Sequence, residues 1–295
     1  MSDLPRAGLL AGLGAYLIWG LLPLYLKLLT GIEAGEVLAQ RITWSVVIVA
    51  ALVLVTGGAG RLRAALGQPR LMLLLFVSAV CIAINWLVYT WSILNNHALD
   101  TSLGYFINPL ISVLFGVVLL GERLVPLQWA AVGCAVAGVA VTTIAHGKVP
   151  LISLALAFSF ATYGLIRKQA AVDAITGLFV ETLVLLPVAL FWLLTRPPGA
   201  GFERPLPMLA LLSAGGVLTA VPLLMFGYAA RRLPLSTIGL MQYIAPTMVL
   251  LQAVFLFGEP MDTAKLIAFS LIWLGLGLYT VSLARRPAPV VEPLD

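Results

Sequence analysis

The stretch Gly104-Tyr105-Phe106-Ile107-Asn108-Pro109 decides the fold, and it lies in a run from Thr101 to Leu120 that carries no charged residue. The run is followed by Gly121-Glu122-Arg123. A second version occurs later as Gln242-Tyr243-Ile244-Ala245-Pro246, an apolar run and Gly258-Glu259-Pro260. A proline inside an apolar helix frees backbone groups that lipid cannot satisfy, so each site must face protein or a water-filled cavity. The same break at matched places in two halves of a chain predicts a transport site.

The composition excludes an ordinary soluble domain. Of the 295 residues, 61% are hydrophobic and only 10% are charged, whereas a soluble domain carries about 25% charged residues. The apolar residues form runs of about 20, which is long enough to cross a bilayer. No basic patch with interleaved aromatic residues lies outside these runs, so nucleic acid is excluded as a partner. The sequence therefore predicts an all-α membrane protein.

Ten membrane spans are predicted. Their ranges are 7–28, 36–57, 71–95, 101–121, 126–145, 149–168, 176–195, 207–230, 235–257 and 264–284. With the N-terminus in the cytoplasm, 11 of the 17 Lys and Arg residues fall at cytoplasmic connectors or ends and 5 at the opposite ends. Positively charged connectors stay in the cytoplasm. We therefore predict a multi-pass protein of a bacterial-type cytoplasmic (inner) membrane, with both termini in the cytoplasm.

The chain contains a weak internal repeat. Five correspondences recur in order at nearly one spacing: Trp19-Gly20 with Tyr163-Gly164, Arg41 with Glu181, Asn85-Trp86-Leu87 with Val221-Pro222-Leu223, Pro109 with Pro246, and Gly138 with Gly277. Because a unit of five helices is odd, its second copy inserts upside down, as in many secondary transporters. The prediction is two inverted five-helix repeats, residues 7–145 and 149–284, followed by a disordered tail, residues 285–295.

Two charged residues lie well inside predicted spans, namely Arg41 and Glu181. A charge at the bilayer centre costs roughly 2.5–3.5 kcal/mol on insertion scales, so each should face the interior of the bundle or water. One interpretation is structural, with each residue tethering neighbouring helices. The other is functional: recognition of substrate charge, or, for Glu181, proton coupling, since a buried carboxyl group can titrate near neutral pH. The inverted repeat puts the two residues toward opposite sides of the membrane, so the sequence does not decide whether they form a direct ion pair.

Polar and aromatic residues at helical spacing predict a substrate cavity, because rings can stack on a solute and amides can orient it. The alternative is that these groups only bond helices to one another. The predicted cavity residues are Tyr16, Trp19, Asn85, Trp86, Tyr89, Tyr105, Asn108, Tyr163, Gln242 and Tyr243. The cavity is expected between the first, third, fourth, sixth, eighth and ninth spans. The predicted hinges are Pro109, Pro222 and Pro246.

Several chemistries have no support in the sequence. No metal-ligand spacing is present, and Cys81 and Cys134 both lie in spans, where they are interpreted as apolar fillers. No phosphate-binding loop of the GxxxxGK[ST] type and no HExxH or G-x-S-x-G motif occurs. We therefore expect no enzyme activity, no cofactor and no metal.

The chain resembles the drug/metabolite transporter superfamily of the EamA type, and within it the RarD, or chloramphenicol-sensitive protein, branch. The segments that carry the resemblance include Ala15 to Gly20, Asn95-Asn96-His97, Ser102 to Pro109, Gly121-Glu122-Arg123, Ala157 to Ala161, Tyr163-Gly164-Leu165 and Gln242-Tyr243-Ile244. The resemblance covers about residues 8 to 284. It implies ten helices, two inverted five-helix units and secondary transport of amino acids, other metabolites or drugs.

The expected function is secondary active transport, by alternating access, of a small amphipathic metabolite or drug, with export as the expected direction. The expected partners are this solute and the lipid bilayer, with the proton as a candidate coupling ion and a homodimer left open. Two alternatives remain at this point. One is an uncoupled facilitator or channel, and the other is an accessory or sensor membrane protein without flux of its own.

Overall fold

The computed structural model describes residues 3–120, 124–230, 232–233 and 241–284. In chain order the helices are α1 Asp3–Lys27, α2 Ala34–Val55, α3 Ala59–Leu66, α4 Pro69–Leu94, α5 Ala98–Leu120, α6 Pro126–His146, α7 Leu151–Gln169, α8 Ala174–Leu194, α9 Leu206–Ala230, α10 Ile244–Leu251 and α11 Thr263–Ala284. A short 3-10 turn, Gly201–Glu203, precedes α9. A π-helical turn, Gln252–Leu256, continues α10.

The all-α membrane fold is confirmed. Within the described ranges, nine helices are long and apolar enough to cross a membrane, and a shorter apolar helix, Ile244–Leu256, adds to them. These helices match the ten predicted spans, with ends that differ by a few residues. Three predicted features lie outside the described residues: the start of the ninth span (235–240), Gly121-Glu122-Arg123, and the tail 285–295.

The connector before α4 holds a helix that the sequence analysis did not predict. Helix α3, Ala59–Leu66, has eight residues and buries Ala65. Ala65 and Leu62 pack against Leu71 and Leu75 of α4. Alanine and leucine favour the helix in this stretch, and the apolar contacts with α4 hold it against the bundle.

The helix ends define two faces of the bundle. The near face is the one at which α1 begins, and it also carries α3 and the connector 170–173. The far face carries the connectors 28–33, 95–97, 147–150, 195–205 and 257–262. Residues 7–145 form the first half of the chain and residues 149–284 the second half.

Helices from the two halves approach each other closely where small residues lie between them. A Cβ on Gly104 of α5 would lie 2.7 Å from the backbone oxygen of Ser153 on α7. A Cβ on Gly216 of α9 would lie 2.6 Å from Cβ of Trp44 on α2. Small residues permit such close packing in membranes, where apolar burial alone does not drive helix association. The contact of α2 with α9 and that of α5 with α7 bring the two halves together at the centre.

The three predicted hinge prolines occur in two settings. Helix α5 continues through Pro109 and helix α9 continues through Pro222. Pro246, in contrast, lies in the first turn of α10, after a turn at Gln242 and Tyr243 that interrupts the helix. A proline in a first turn costs no helical hydrogen bond. Among the described residues, the predicted break is therefore found before Pro246 and not at Pro109, where the helix tolerates the ring.

Candidate functional site

Arg41 is a buried charge in the far-face half of the bundle. It lies about 10 Å along α2 from the far-face end, at 1.5 Å per residue, and it is 2% exposed. Its Nε donates to Oγ1 of Thr219 at 3.2 Å, and its Nη1 donates to Oγ1 of Thr90 at 3.2 Å. The guanidinium lies over the ring of Trp86, 5.6 Å from the centroid. Helices α2, α4 and α9 thus meet at this side chain.

A polar and aromatic group lies beside Arg41. The hydroxyl of Tyr105 donates to Oδ1 of Asn85 at 2.8 Å. Nδ2 of Asn85 in turn donates to Oγ of Ser159 at 3.0 Å. The rings of Tyr89 and Tyr105 lie edge to face with centroids 5.9 Å apart. Four of the predicted cavity residues, including Trp86, are therefore brought together around α4, and the hydroxyl of Tyr105 bonds to the amide of Asn85.

A row of rings leads from this group toward Glu181. The ring centroids of Tyr105 and Phe160 are 5.8 Å apart, and those of Phe160 and Tyr163 are 5.9 Å apart. The hydroxyl of Tyr163 lies close enough to Glu181 to interact with its charge. Arg41 and Glu181 are thus connected through aromatic residues and form no direct ion pair.

Glu181 is 1% exposed and lies about 10 Å along α8 from the near-face end. Its Oε1 accepts a hydrogen bond from Oγ of Ser78 at 2.6 Å and lies 3.7 Å from Nη1 of Arg167. A Cβ on Gly177 would overlap the guanidinium of Arg167, so this glycine provides the space for it. Oε2 of Glu181 and Nη1 of Arg167 are buried without a hydrogen-bond partner among the described residues. A buried carboxylate with a free oxygen is equipped to take up a proton.

The remaining predicted aromatic residues form two separate contacts. Tyr16 and Trp19 of α1 meet Phe226 of α9, with centroid separations of 6.1 and 5.9 Å. Tyr243 stacks on Phe106 at 6.3 Å. Gln242 lies half-buried in the same turn as Tyr243. Within the described part of the chain, no hydrogen bond or ring contact joins these residues to the group around Arg41.

Two buried amides have an oxygen without a hydrogen-bond donor among the described residues, namely Oδ1 of Asn108 and Oε1 of Gln252. Nε2 of Gln252 donates to the backbone oxygen of Gly20 at 2.6 Å, which joins α10 to α1. Gln252 begins the π-helical turn, and such turns are frequent at functional sites. A buried acceptor without a donor costs about 1–3 kcal/mol, so these oxygens are suited to a ligand N–H or O–H group.

A cavity of about 300 Å³ lies in the near-face half, between α5, α7 and α11. Its walls are mostly small or apolar, and its polar lining residues are Ser112, Lys168 and Tyr279. The hydroxyl of Ser112 donates to the backbone oxygen of Asn108 one turn deeper. None of the ten predicted cavity residues lines this space. Several of them contact one another instead: Tyr105 contacts Asn85 and Tyr89, and Tyr16 contacts Trp19.

At the far face, polar side chains connect the two halves. The carboxylate of Glu36, 2% exposed, accepts two hydrogen bonds from Arg204, at 2.6 and 2.8 Å, and one from the amide of Gly201 at 3.1 Å. The hydrogen bond with Glu36 raises the pKa of Arg204 above its ordinary value. Nearby, Arg196 pairs with Glu33. These contacts hold the connector 195–205 against the start of α2.

Glu259 makes a second connection at the far face. The side chain is buried, and its two oxygens accept hydrogen bonds from the backbone amides of Ala98 at 2.7 Å and Leu99 at 2.8 Å. These amides are the first of α5, where a helix has unpaired N–H groups and a positive dipole end. A carboxylate from the second half therefore caps the central helix of the first half.

Further far-face pairs are more exposed. Nε2 of His146 lies 2.9 Å from Oδ2 of Asp262, and Nζ of Lys265 lies 3.9 Å from Oδ1 of Asp100. A hydrogen bond from the amide of Lys265, together with His146, lowers the pKa of Asp262. At the near face, the described residues form one ion pair between the halves, from Arg61 to Asp173 at 3.6 Å.

The sequence analysis missed several residues that the structure places in these contacts. Glu36 lies near a span end and Arg204 in a connector, where charged residues are ordinary, so neither attracts notice in the sequence. Gln252 was overlooked, although it stands alone as a polar residue between Met248 and Phe257. That isolation was a usable signal. Glu259 belongs to the repeated Gly-Glu motif, but its target at the start of α5 depends on the fold.

Comparisons with known proteins are consistent with this architecture. The model of the EamA-like transporter family matches residues 6–144 and again 148–281. An uncharacterized transporter of Pseudomonas aeruginosa is 48% identical, over 96% of this chain and 98% of the relative. Protein RarD of Escherichia coli is 43% identical over 94% of each chain. The chloramphenicol-sensitive protein RarD of Pseudomonas aeruginosa is 35% identical, over 95% of this chain and 97% of the relative.

The chain is also similar to solved structures. A crystal structure matches with a TM-score of 0.63 over 95% of this chain and 99% of the other, at 24% sequence identity. At that identity the likeness shows the fold alone.

Proposed function

The chain belongs to the EamA-like transporter family, and from this membership we propose that it is a secondary carrier that works by alternating access. Its substrate would be a small amphipathic metabolite or drug, and its direction would be export across the cytoplasmic membrane. In this proposal both termini lie in the cytoplasm, so that the near face is cytoplasmic and the far face is external.

The observation that carries the proposal is the difference between the two faces. At the far face, buried groups of the two halves are joined by the pairs Glu36–Arg204 and Glu259–α5. In the near-face half, a cavity of about 300 Å³ lies between helices of both halves. A carrier closed on one side with space on the other corresponds to one end state of alternating access.

The other end state would require the far-face contacts to break. In our proposal, residues 7–145 and 149–284 are inverted repeats that move against each other. Pro109 and Pro222 lie inside α5 and α9, where a missing backbone hydrogen bond makes local bending less costly, and Pro246 follows the turn that precedes α10. Separation of the halves would open the rings of Tyr16, Tyr105 and Tyr243 to the solute.

Glu181 is the proposed proton-coupling residue. Its buried carboxylate has a free oxygen, a hydroxyl donor in Ser78 and a cation, Arg167, at 3.7 Å that makes no hydrogen bond to it. Protonation would cancel the attraction between Glu181 and Arg167, and both lie at the near-face side of the contact between α4, α7 and α8. Uptake of a proton can therefore change the packing of these three helices.

Counterflow in proteoliposomes tests the carrier proposal. Preloaded unlabelled solute should drive the entry of labelled solute, and the rate should saturate. Chloramphenicol belongs in the panel because one relative carries the name chloramphenicol-sensitive protein. Flux that neither saturates nor shows counterflow would instead identify an uncoupled facilitator, and absence of flux for every solute would favour the accessory or sensor role.

The coupling role of Glu181 needs a separate measurement. Proteoliposomes with an imposed pH difference should accumulate solute with the wild-type protein but not with Glu181→Gln, which keeps the shape and removes the titrating group. Glu203→Gln is the matched control, since Glu203 is exposed and accepts a hydrogen bond from the amide of Gly199 in its own connector. Accumulation by Glu181→Gln that still follows the pH difference would show that the coupling group is elsewhere.

A further inference from the structure

Arg41 differs from the other buried charges of the protein. The described part of the chain buries four charged side chains, Glu36, Arg41, Glu181 and Glu259. Glu36 has Arg204, Glu181 has Arg167, and Glu259 has the amides that begin α5. Arg41 has only neutral partners, and no carboxylate of the described residues lies within 4.0 Å of its guanidinium.

This arrangement is costly in the absence of an anion. A guanidinium stays protonated in proteins, so it cannot lose its charge to escape the cost of burial. Removing an unpaired ion from water costs several kcal/mol even after the protein relaxes. The hydroxyl oxygens of Thr90 and Thr219 and the face of Trp86 offset a part of that cost. Binding of an anionic ligand would offset the remaining part of the cost of burying this charge.

The residues around Arg41 hold its side chain in place. Gly215 leaves the space for it, since a Cβ there would lie 2.6 Å from Cγ of Arg41 and 2.7 Å from the hydroxyl oxygen of Tyr25. The hydroxyls of Tyr25, Tyr89 and Tyr105 lie close enough to interact with its charge. A fixed guanidinium with aromatic neighbours presents its planar N–H groups in one orientation, which suits the two oxygens of a carboxylate.

We propose that Arg41 binds the carboxylate of the transported solute, which is a monoanionic organic acid with an apolar or aromatic body. The inference rests on the proposed carrier function and names its substrate class. Arg41 is a single cation, so it balances one negative charge and not the two of a phosphate monoester. When the far face opens, the rings of Trp86, Tyr89 and Tyr105 beside Arg41 would contact the apolar body.

Binding to matched probes tests the inference without any transport measurement. The wild-type protein in lipid nanodiscs is titrated with phenylacetate, phenylacetamide, phenethylamine and phenyl phosphate, and with indole-3-acetate and indole-3-acetamide as a second acid and amide. A hydrogen-bonded charge contributes about 1.5–3 kcal/mol, so each acid should bind about tenfold to a hundredfold more tightly than its amide. Equal binding of acid and amide, tighter binding of the amine or the phosphate ester, or no binding of either acid would overturn the inference.

Variants of Arg41 assign the preference to this residue. In Arg41→Gln the ratio of acid to amide affinity should fall to about one, because the charge is gone. Arg63→Gln removes the same charge from an exposed position of α3 and should leave the ratio unchanged. A residue that only tethers helices would lower the melting temperature when replaced and would leave the ratio as in the wild type, and that result would also overturn the inference.

Arg41→Lys covers the case in which Arg41→Gln does not fold. Lysine keeps the charge but lacks the planar pair of donors, so the acids should bind about tenfold more weakly while the amide affinities stay the same. Unchanged acid affinity in this variant would overturn the proposed contact.

Counterflow of the same probes separates this inference from the carrier proposal. A preference for acids without counterflow would leave the anion site standing and refute the carrier. Saturable counterflow of neutral solutes without a preference for acids would support the carrier and overturn the anion site.

Discussion

Replacement of Glu259 by Gln should release the far face. In the closed state both carboxylate oxygens accept backbone hydrogen bonds, from Ala98 at 2.7 Å and from Leu99 at 2.8 Å. Glutamine has nearly the same shape but only one acceptor oxygen, and its amide nitrogen would face an N–H group of α5. The substitution therefore removes one bond, weakens the other and takes a negative charge away from the positive end of a helix.

The size of the effect follows from these contacts. A hydrogen bond to a charged group contributes about 1.5–3 kcal/mol and a neutral one about 0.5–1.5 kcal/mol. Loss of one charged bond and conversion of the other to a neutral bond should cost the closed state about 3 kcal/mol. Glutamate and glutamine at position 259 are both solvated once the far face opens, so the cost applies to the closed state alone. At 1.4 kcal/mol per factor of ten, the ratio of closed to open molecules falls about a hundredfold.

Cysteine labelling can detect this change. Leu103 is buried on α5, one turn beyond the amides that Glu259 caps. In a background with Cys81→Ala and Cys134→Ala, Leu103→Cys reacts with a membrane-impermeant maleimide only when a path to it opens. Right-side-out vesicles expose the far face in the proposed orientation, and inside-out vesicles expose the near face. Glu259→Gln should raise the rate at least about tenfold in the right-side-out vesicles and lower it in the others.

Glu203→Gln again serves as the control, since it makes the same chemical change on the same face without a contact between the halves. An unchanged labelling rate in Glu259→Gln would refute the reasoning, and so would an equal rise in both vesicle types, because local unfolding exposes Leu103→Cys to both sides.

Three further predictions concern other parts of the bundle. Asn108→Leu should lower transport while yield and melting temperature stay at wild-type values, because the buried Oδ1 has no partner to lose among the described residues; an equal loss of folded protein would support a purely structural role. Gly215→Ala should lower stability by about 1–3 kcal/mol through overpacking against Arg41, whereas Gly277→Ala, with open space at its Cβ, should not, and denaturation of the two purified variants compares them. Asp173→Ala should cost about 1 kcal/mol, because the carboxylate caps α8 by accepting from the amide of Thr176 at 3.1 Å. Burial alone would raise the pKa of Asp173, but the hydrogen bonds from Thr176 and the charge of Arg61 lower it, so its contribution is present above its ordinary pKa and is lost as the pH falls through the lowered value. Equal stability of Asp173→Ala and wild type at pH 7 would contradict this assignment.

The sequence predicted the helices well because the bilayer restricts the choices. A backbone that crosses lipid must satisfy its own hydrogen bonds, so runs of about 20 apolar residues have one structural solution. The spans around Pro109 and Glu181 were predicted for that reason. Helix α3 was missed because it lies outside the apolar runs and depends on the contact of Ala65 with α4.

The site was predictable only in part, because a sequence gives the face of a helix and not its partner. The spacing of Asn85 and Tyr89 on one face is visible in the sequence, and both face the interior. That Tyr105 donates to Asn85, or that Arg41 is held by Thr90 and not by Glu181, depends on how the two halves pack. The break expected at Pro109 is not found, since α5 continues from Ala98 to Leu120 with this proline inside the helix.

Closure of the far face should depend mainly on the contacts of Glu36 and Glu259, although further contacts join the two halves there. The pairs of His146 with Asp262 and of Lys265 with Asp100 are partly exposed, and exposed ion pairs contribute about 0–1 kcal/mol. The carboxylates of Glu36 and Glu259 are buried, so each would be left uncompensated if its partner moved away without water replacing it. Opening must therefore hydrate both together. A two-state carrier needs end states within a few kcal/mol of each other, which means that the hydration of these carboxylates must nearly offset the bonds they lose.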